Sequence, residues 1–279
     1  MITLNQAVRA ILAPLVLALI LAAVGRWRRW RWMMPAAAGT AFVTGYGLLG
    51  VPRLGPIDGT DWLFWLTIPV TGLAILDSVF VPRWGWAFGA VAGVVAWMII
   101  HPVVPDTVSP GVCWATAIGT AVAGAGLCLA AGAMGSRLRP WAVLAGPCAA
   151  VGAAAVVVLA SDSASIGIRG LAAAASLGPL IPLIAGGSVR GVTILALAVL
   201  AGILVGGHFY AGVSWTQFAI LMLSPLLLFT GAMVPVKRPR LAGVVAVLAV
   251  LGVLAPIVIP AVVAAKHAAE SNSSDPYGD

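Results

Sequence analysis

Residues 241–265 read LAGVVAVLAVLGVLAPIVIPAVVAA, twenty-five positions without a single charge, set between Lys237, Arg238 and Arg240 on one side and Lys266 on the other. An uncharged apolar stretch of about 18 or more residues is long enough to cross the roughly 30 Å hydrocarbon core of a bilayer as a helix. Working outward, the same pattern of an apolar run closed by a short polar or basic connection recurs along the chain. The runs cover about 7–25, 33–51, 62–81, 86–100, 112–134, 141–160, 166–187, 192–212 and 218–236, and 241–265 is the tenth.

The composition agrees. Of the 279 residues 62% are hydrophobic and only 8% are charged, whereas a soluble domain carries about 25% charged residues, so a soluble surface cannot be built from this chain. That excludes a disordered protein, a disulfide-stapled secreted domain, a Rossmann-type enzyme and a nucleic-acid binder. The expectation is an all-α polytopic membrane protein, a bundle of about ten transmembrane helices. Residues 1–265 form one transmembrane domain, and 266–279, KHAAESNSSDPYGD, form a polar disordered tail.

The net charge of +7, from 15 Lys and Arg against 8 Asp and Glu, sits in the connections between runs, where it acts as a topology signal. With the N-terminus outside, the inner connections hold Arg26, Arg28, Arg29, Arg31, Arg83, Arg137, Arg139, Arg190, Lys237, Arg238 and Arg240. The outer side then receives Asp58, Asp61, Asp106, Asp162, Glu270, Asp275 and Asp279. The reading is a multi-pass protein of the cell (cytoplasmic) membrane with both termini on the non-cytoplasmic side. Arg26 to Trp32, RWRRWRW, follows the first run directly; it resists translocation, so the run is an uncleaved span, and Arg26, Arg28, Arg29 and Arg31 are placed for anionic lipid headgroups.

Basic connections recur near positions 29, 83, 138, 190 and 238. Helical hairpins of bilayer-set length give that period by themselves. A duplication into 5+5 inverted halves is the sharper reading, although the halves show no residue-by-residue self-similarity.

Few residues could carry chemistry. Asp77 is the one acid within a run, and a carboxylate in hydrocarbon costs about 2.5 to 3.5 kcal/mol on insertion scales, so it should face the bundle interior or water. It is the first candidate for binding a proton or cation, with anchoring to Arg83 as the structural alternative. Arg169, a few residues into the seventh run, is the second: it could hold an anionic substrate, or snorkel, or pair with a nearby acid such as Asp162. Gly85, Gly89 and Gly93 form one small-residue face and Gly202 with Gly206 another, which suit close helix packing within the chain or a homo-oligomer contact. The pairs Pro179 with Pro182 and Pro256 with Pro260 are the strongest hinge positions. His101, His208, Asp58, Asp61 and Asp106 share the outer side without the spacing of a metal or hydrolytic motif, and Cys113, Cys128 and Cys148 read as packing residues. No catalytic residue, metal ligand or cofactor is expected.

The function implied is a small-solute transporter or permease-like protein. The alternative is a non-transporting membrane scaffold or accessory subunit packed through its glycine-rich faces; an intramembrane enzyme has least support. A polar cavity reaching the midplane separates the first from the second.

Overall fold

The computed structural model describes residues 4–50, 61–80, 85–103, 108–135, 137–161, 163–184, 189–233 and 239–273. Among these the chain is all-helical. The helices are α1 (Leu4–Arg28), α2 (Met33–Leu49), α3 (Asp61–Val79), α4 (Gly85–Ile100), α5 (Pro110–Met134), α6 (Pro140–Ala160), α7 (Ala164–Leu177), α8 (Leu180–Leu183), α9 (Val189–Ala211), α10 (Trp215–Leu223), α11 (Phe229–Ala232) and α12 (Pro239–Ser273). Seven helical stretches are long and apolar enough to cross a membrane: α1, α3, α5, α6, the broken α7–α8, α9 and α12. Shorter apolar helices lie at Gly89–Ile100 and Trp215–Gly231. The chain is therefore compatible with a multi-pass membrane protein.

Local signals explain the helix starts. Ser109 accepts from the backbone N–H of Val112 and is followed by Pro110, whose missing N–H costs nothing at the first helical position. Ser214 and Gln217 form a reciprocal capping box at the start of α10. Between α1 and α2 the chain reverses through Arg29, which adopts φ 58°, while the N–H of Trp30 donates to the Gly25 carbonyl at 2.9 Å.

At the centre stands α9, buried from Val189 to Gly207 apart from Arg190. Glycine and alanine at Gly191, Ala196, Ala198, Ala201, Gly202 and Gly206 let neighbouring helices approach it from several sides. Around it pack α2, α3, α4, α5, α6, α7 and α10. The peripheral helices attach by narrow seams of every fourth residue. In α1 these are Ala10, Pro14, Ala18 and Ala22, all buried, and in α12 Ala242, Ala246, Val250 and Leu254. The large apolar side chains of the same helices, Ile20 and Leu248 among them, stay exposed. That division suits lipid, where small residues permit close backbone approach and large ones need no burial.

Two proline effects separate. The seventh run is interrupted: α7 stops at Leu177, and α8 resumes after Gly178 and Pro179. The ninth run is also interrupted, with a 3-10 segment, Ser224–Leu228, around Pro225. In contrast, α12 passes through Pro256 and Pro260 without a break and continues beyond the apolar run to Ser273, where Lys266 and Glu270 lie 3.6 Å apart one turn along. Proline is tolerated within membrane helices when neighbouring groups take up the freed carbonyl, so the pair in α12 is not the site of a discontinuity and Pro225 is.

Candidate functional site

Helix α3 carries an acid at each end, and each acid meets an arginine from another helix. Asp61 and Asp77 are sixteen residues apart, about 24 Å at 1.5 Å per residue, which is close to the thickness of the hydrocarbon core. Both carboxylates therefore sit toward the ends of the helix, away from its middle.

At the C-terminal end, Asp77 Oδ2 lies 3.3 Å from Nε of Arg190, in the first turn of α9. The two side chains differ sharply in exposure, 1% for Asp77 and 38% for Arg190. Neither oxygen of Asp77 accepts a hydrogen bond among the described residues. The approach is made possible by Gly191: a Cβ there would collide with the Ala74 carbonyl and with the Ser78 hydroxyl, which itself donates to Ala74 at 2.9 Å. Cys128 of α5 is buried within electrostatic reach of both charges. Nearby in sequence, the carbonyl of Leu183 at the end of α8 accepts from Arg26 Nη1 at 3.0 Å, which satisfies a terminal helix acceptor. Arg83, the partner expected from sequence, lies outside the described residues.

At the N-terminal end, Arg169 Nη2 of α7 lies 3.6 Å from Asp61 Oδ1. The same oxygen accepts from the Tyr46 hydroxyl at 3.4 Å, and the guanidinium sits 4.5 Å over the Tyr46 ring. Tyr46 continues into Phe64 and Trp65, with successive ring centroids 5.3 and 5.1 Å apart. Arg169 is thus held by a carboxylate and an aromatic face together. Its acid is Asp61; Asp162, the neighbour considered from sequence, lies outside the described residues. Here too a glycine follows the arginine. A Cβ on Gly170 would stand 2.7 Å from Ala155 Cβ, so α7 seats closely on α6.

Between the two pairs the interior is tight. A cavity of about 10 Å³ lies among Leu63, Thr67 and Val70 of α3, Val95 of α4 and Leu195 and Val199 of α9, room for about one water molecule. Thr67 directs its hydroxyl to the Leu63 carbonyl at 2.6 Å, and Thr193 Oγ1 is buried without a partner among the described residues.

The remaining sequence candidates fall elsewhere. Gly89 and Gly93 are occupied within the chain: a Cβ on Gly89 would meet Ala125 Cβ at 2.5 Å, and one on Gly93 would meet Ala121 Cβ at 2.8 Å, both in α5. The surroundings of Gly85 lie outside the described residues. Gly202 faces Leu63, and Gly206 is buried in α9. His101 lies against Trp97 with the rings tilted, while His208 lies against Trp215 with Nδ1 at the Val213 carbonyl, so the two imidazoles belong to separate aromatic groups. Among the described residues no three His, Cys, Asp or Glu side chains converge as a metal site would require.

The two Arg-Gly dipeptides, 169–170 and 190–191, are the signal that sequence reasoning passed over. In each, the glycine permits close packing and the preceding arginine reaches α3. Comparison with protein families, with curated proteins and with solved structures gives no match to this chain.

Proposed function

We propose that this chain is a small-solute permease of the cell membrane, crossing it ten times with both termini outside, and that the described conformation is closed at both ends. The observation that carries the reading is the double clamp on α3: Asp61 with Arg169 at one end and Asp77 with Arg190 at the other, on either side of a cavity the size of one water. Alternating access needs contacts that can break at one end while holding at the other. Ion pairs between helices do this because each charge can be re-solvated when its end opens. The interruptions at Pro179 and Pro225 supply places where α7–α8 and α10–α11 can bend.

In this reading Arg28, Arg29 and Arg31 meet anionic headgroups on the cytoplasmic side, with exposed Trp27, Trp30 and Trp32 at the interface. Arg26 divides its role, since it also holds the end of α8. Two inverted halves would make α1 and α6 counterparts, yet α1 is mostly exposed and α6 mostly buried, which weighs against symmetric halves.

The second reading, a non-transporting scaffold, is favoured by the dense packing of α9 and the small size of that same cavity. Reconstitution separates them. Liposomes containing the protein are incubated with a defined mixture of polar metabolites, and trapped solutes are quantified by mass spectrometry against empty liposomes. Protein-dependent entry of a solute class supports the permease. Entry equal to empty liposomes, at both acidic and neutral pH, favours the scaffold.

A further inference from the structure

Asp77 is enclosed, and its only described counter-charge is one that can leave. With 1% of its side chain exposed and no hydrogen bond to either oxygen among the described residues, the carboxylate is almost wholly withdrawn from direct contact with water. An uncompensated charge in that position costs several kcal/mol. Arg190, with 38% of its side chain exposed, can carry its guanidinium to the headgroup region on its long apolar stem. Among the described residues the charged and titratable groups facing Asp77 are Arg190 from α9 and Cys128 from α5. The Ser78 hydroxyl is committed to the Ala74 carbonyl. A metal cation would need several oxygen ligands, and the described surroundings offer one carboxylate, so the ligand that fits is a proton.

We propose that Asp77 is a proton-binding site at which the proton and the Arg190 guanidinium alternate, so that protonation releases the first turn of α9 from α3. The inference rests on the clamp described under Proposed function and gives it a coupling ion. The step balances simply. A proton from the aqueous phase at that end adds to a carboxylate oxygen of Asp77, the ion pair to Arg190 breaks, and the guanidinium keeps its charge as it moves outward. Loss of the proton reverses each change. What then holds α9 to α3 is the contact of Gly191 with Ala74 and Ser78, and Cys128 beside it becomes reachable.

The protein supplies its own reporter. With Cys113→Ala and Cys148→Ala, Cys128 is the one remaining thiol, and a membrane-impermeant maleimide reads its exposure in proteoliposomes. At a single pH, adding Asp77→Asn should speed labelling by about tenfold, because reaction of a buried thiol tracks the population of the opened form. Asp61→Asn, which frees the other end of α3, should not speed labelling, because opening at that end keeps this one shut. In the chain that keeps Asp77, the rate, normalised to that of the denatured protein at the same pH, should rise on acidification.

A normalised rate that stays flat with pH overturns the proposal, even where Asp77→Asn fails to fold. Equal labelling of folded Asp77→Asn and its parent does so as well. Solute entry with flat labelling leaves the permease standing without this latch, whereas pH-responsive labelling without solute entry leaves the latch and removes the permease.

Discussion

Asp77 and Arg190 form an unequal pair, a buried carboxylate 3.3 Å from Nε of an arginine whose side chain is more than one-third exposed. The inequality predicts an asymmetry between the two single variants. Arg190→Gln removes the counter-charge of the buried carboxylate and should lower stability by up to about 3 to 5 kcal/mol at alkaline pH, the range for breaking a buried pair, and by less at acidic pH, where Asp77 takes up a proton instead. Asp77→Asn leaves an arginine that can turn to the interface, so it should cost about 1 kcal/mol or less. The double variant should recover most of what Arg190→Gln loses. Thermal unfolding of the four proteins in detergent checks this, and equal losses for the two single variants would show that the exposure difference does not govern the pair.

Glycine substitutions should divide by what a methyl group meets. At Gly89 a Cβ would stand 2.5 Å from the Ala121 carbonyl oxygen of α5, and backbone cannot move aside as a flexible side chain can. Gly89→Ala should therefore destabilise by about 1 to 3 kcal/mol, and Gly89→Leu by more than Ala90→Leu on the exposed side of the same helix. Gly126, exposed on α5 with nothing within 4 Å of its Cβ position, should gain up to about 1 kcal/mol of helix propensity as alanine. Melting temperatures of the four variants give the test. A Gly89→Ala protein as stable as its parent would mean that α4 and α5 are less closely seated than this.

Helical and loop segments were readable because apolar runs and basic connections are one-dimensional features. The run at 241–265 announces α12 without reference to anything else. Burial was not readable in the same way. The runs at 7–25 and 192–212 look alike as sequence, yet α1 is peripheral and α9 central, since in lipid neither hydrophobicity nor its absence says which helix lies inside. The distinguishing mark is the spacing of small residues: Ala10, Pro14, Ala18 and Ala22 make a single seam suited to contact on one side. Asp77 and Arg169 stood out as costly charges. Their partners did not, because Arg190 and Asp61 each lie near a run end, where a charge is ordinary and carries no sign of being paired.

Arg169 is held by two different interactions, and they can be separated. Lysine in its place keeps the charge opposite Asp61 but loses the planar cation that covers the Tyr46 ring at 4.5 Å. Arg169→Lys should cost about 1 kcal/mol, the worth of a partly exposed cation–π contact. Tyr46→Phe keeps the ring and removes the hydroxyl bonded to Asp61 at 3.4 Å, a long bond worth about 0.5 to 1 kcal/mol. Once Arg169 is lysine, Tyr46→Phe should cost the same as before if the hydroxyl and the ring act independently. A double-mutant cycle by chemical denaturation measures the difference.

The turn between α1 and α2 contains a residue in a strained backbone conformation. Arg29 has φ 58°, which costs a side-chain-bearing residue roughly 1 to 2 kcal/mol and glycine almost nothing. Arg29→Gly should therefore stabilise the hairpin while removing one of its positive charges. If the basic cluster serves anionic headgroups, the same variant should bind vesicles rich in acidic phospholipid less strongly at low salt and should differ little from its parent at high salt. A stability gain with unchanged lipid dependence would assign Arg29 to the turn alone and leave Arg28 and Arg31 as the headgroup contacts.

The topology rests on charge bias and can be tested end by end. Ten crossings with an external N-terminus put the C-terminal tail outside, and they put the Arg26–Arg31 cluster, Arg137 and Lys237 in the cytoplasm. Seven stretches meet the length and hydropathy needed for a span; the count rises to ten only if α2, α4 and the interrupted α10–α11 also cross. The last of these decides the fate of the C-terminus. Should α10–α11, broken by the 3-10 turn at Pro225, dip into the bilayer and return, the parity changes and α12 enters from the opposite side, carrying Asp279 into the cytoplasm. Single cysteines introduced at Ser109 and near Asp279, in a chain whose native cysteines are alanine, distinguish the two with an impermeant reagent applied to intact cells. Labelling at both positions supports ten crossings. Labelling at Ser109 with protection near Asp279 would mean that α10–α11 does not cross, because α2 and α4 both precede Ser109 and the loss of either crossing would have moved Ser109 to the cytoplasmic side.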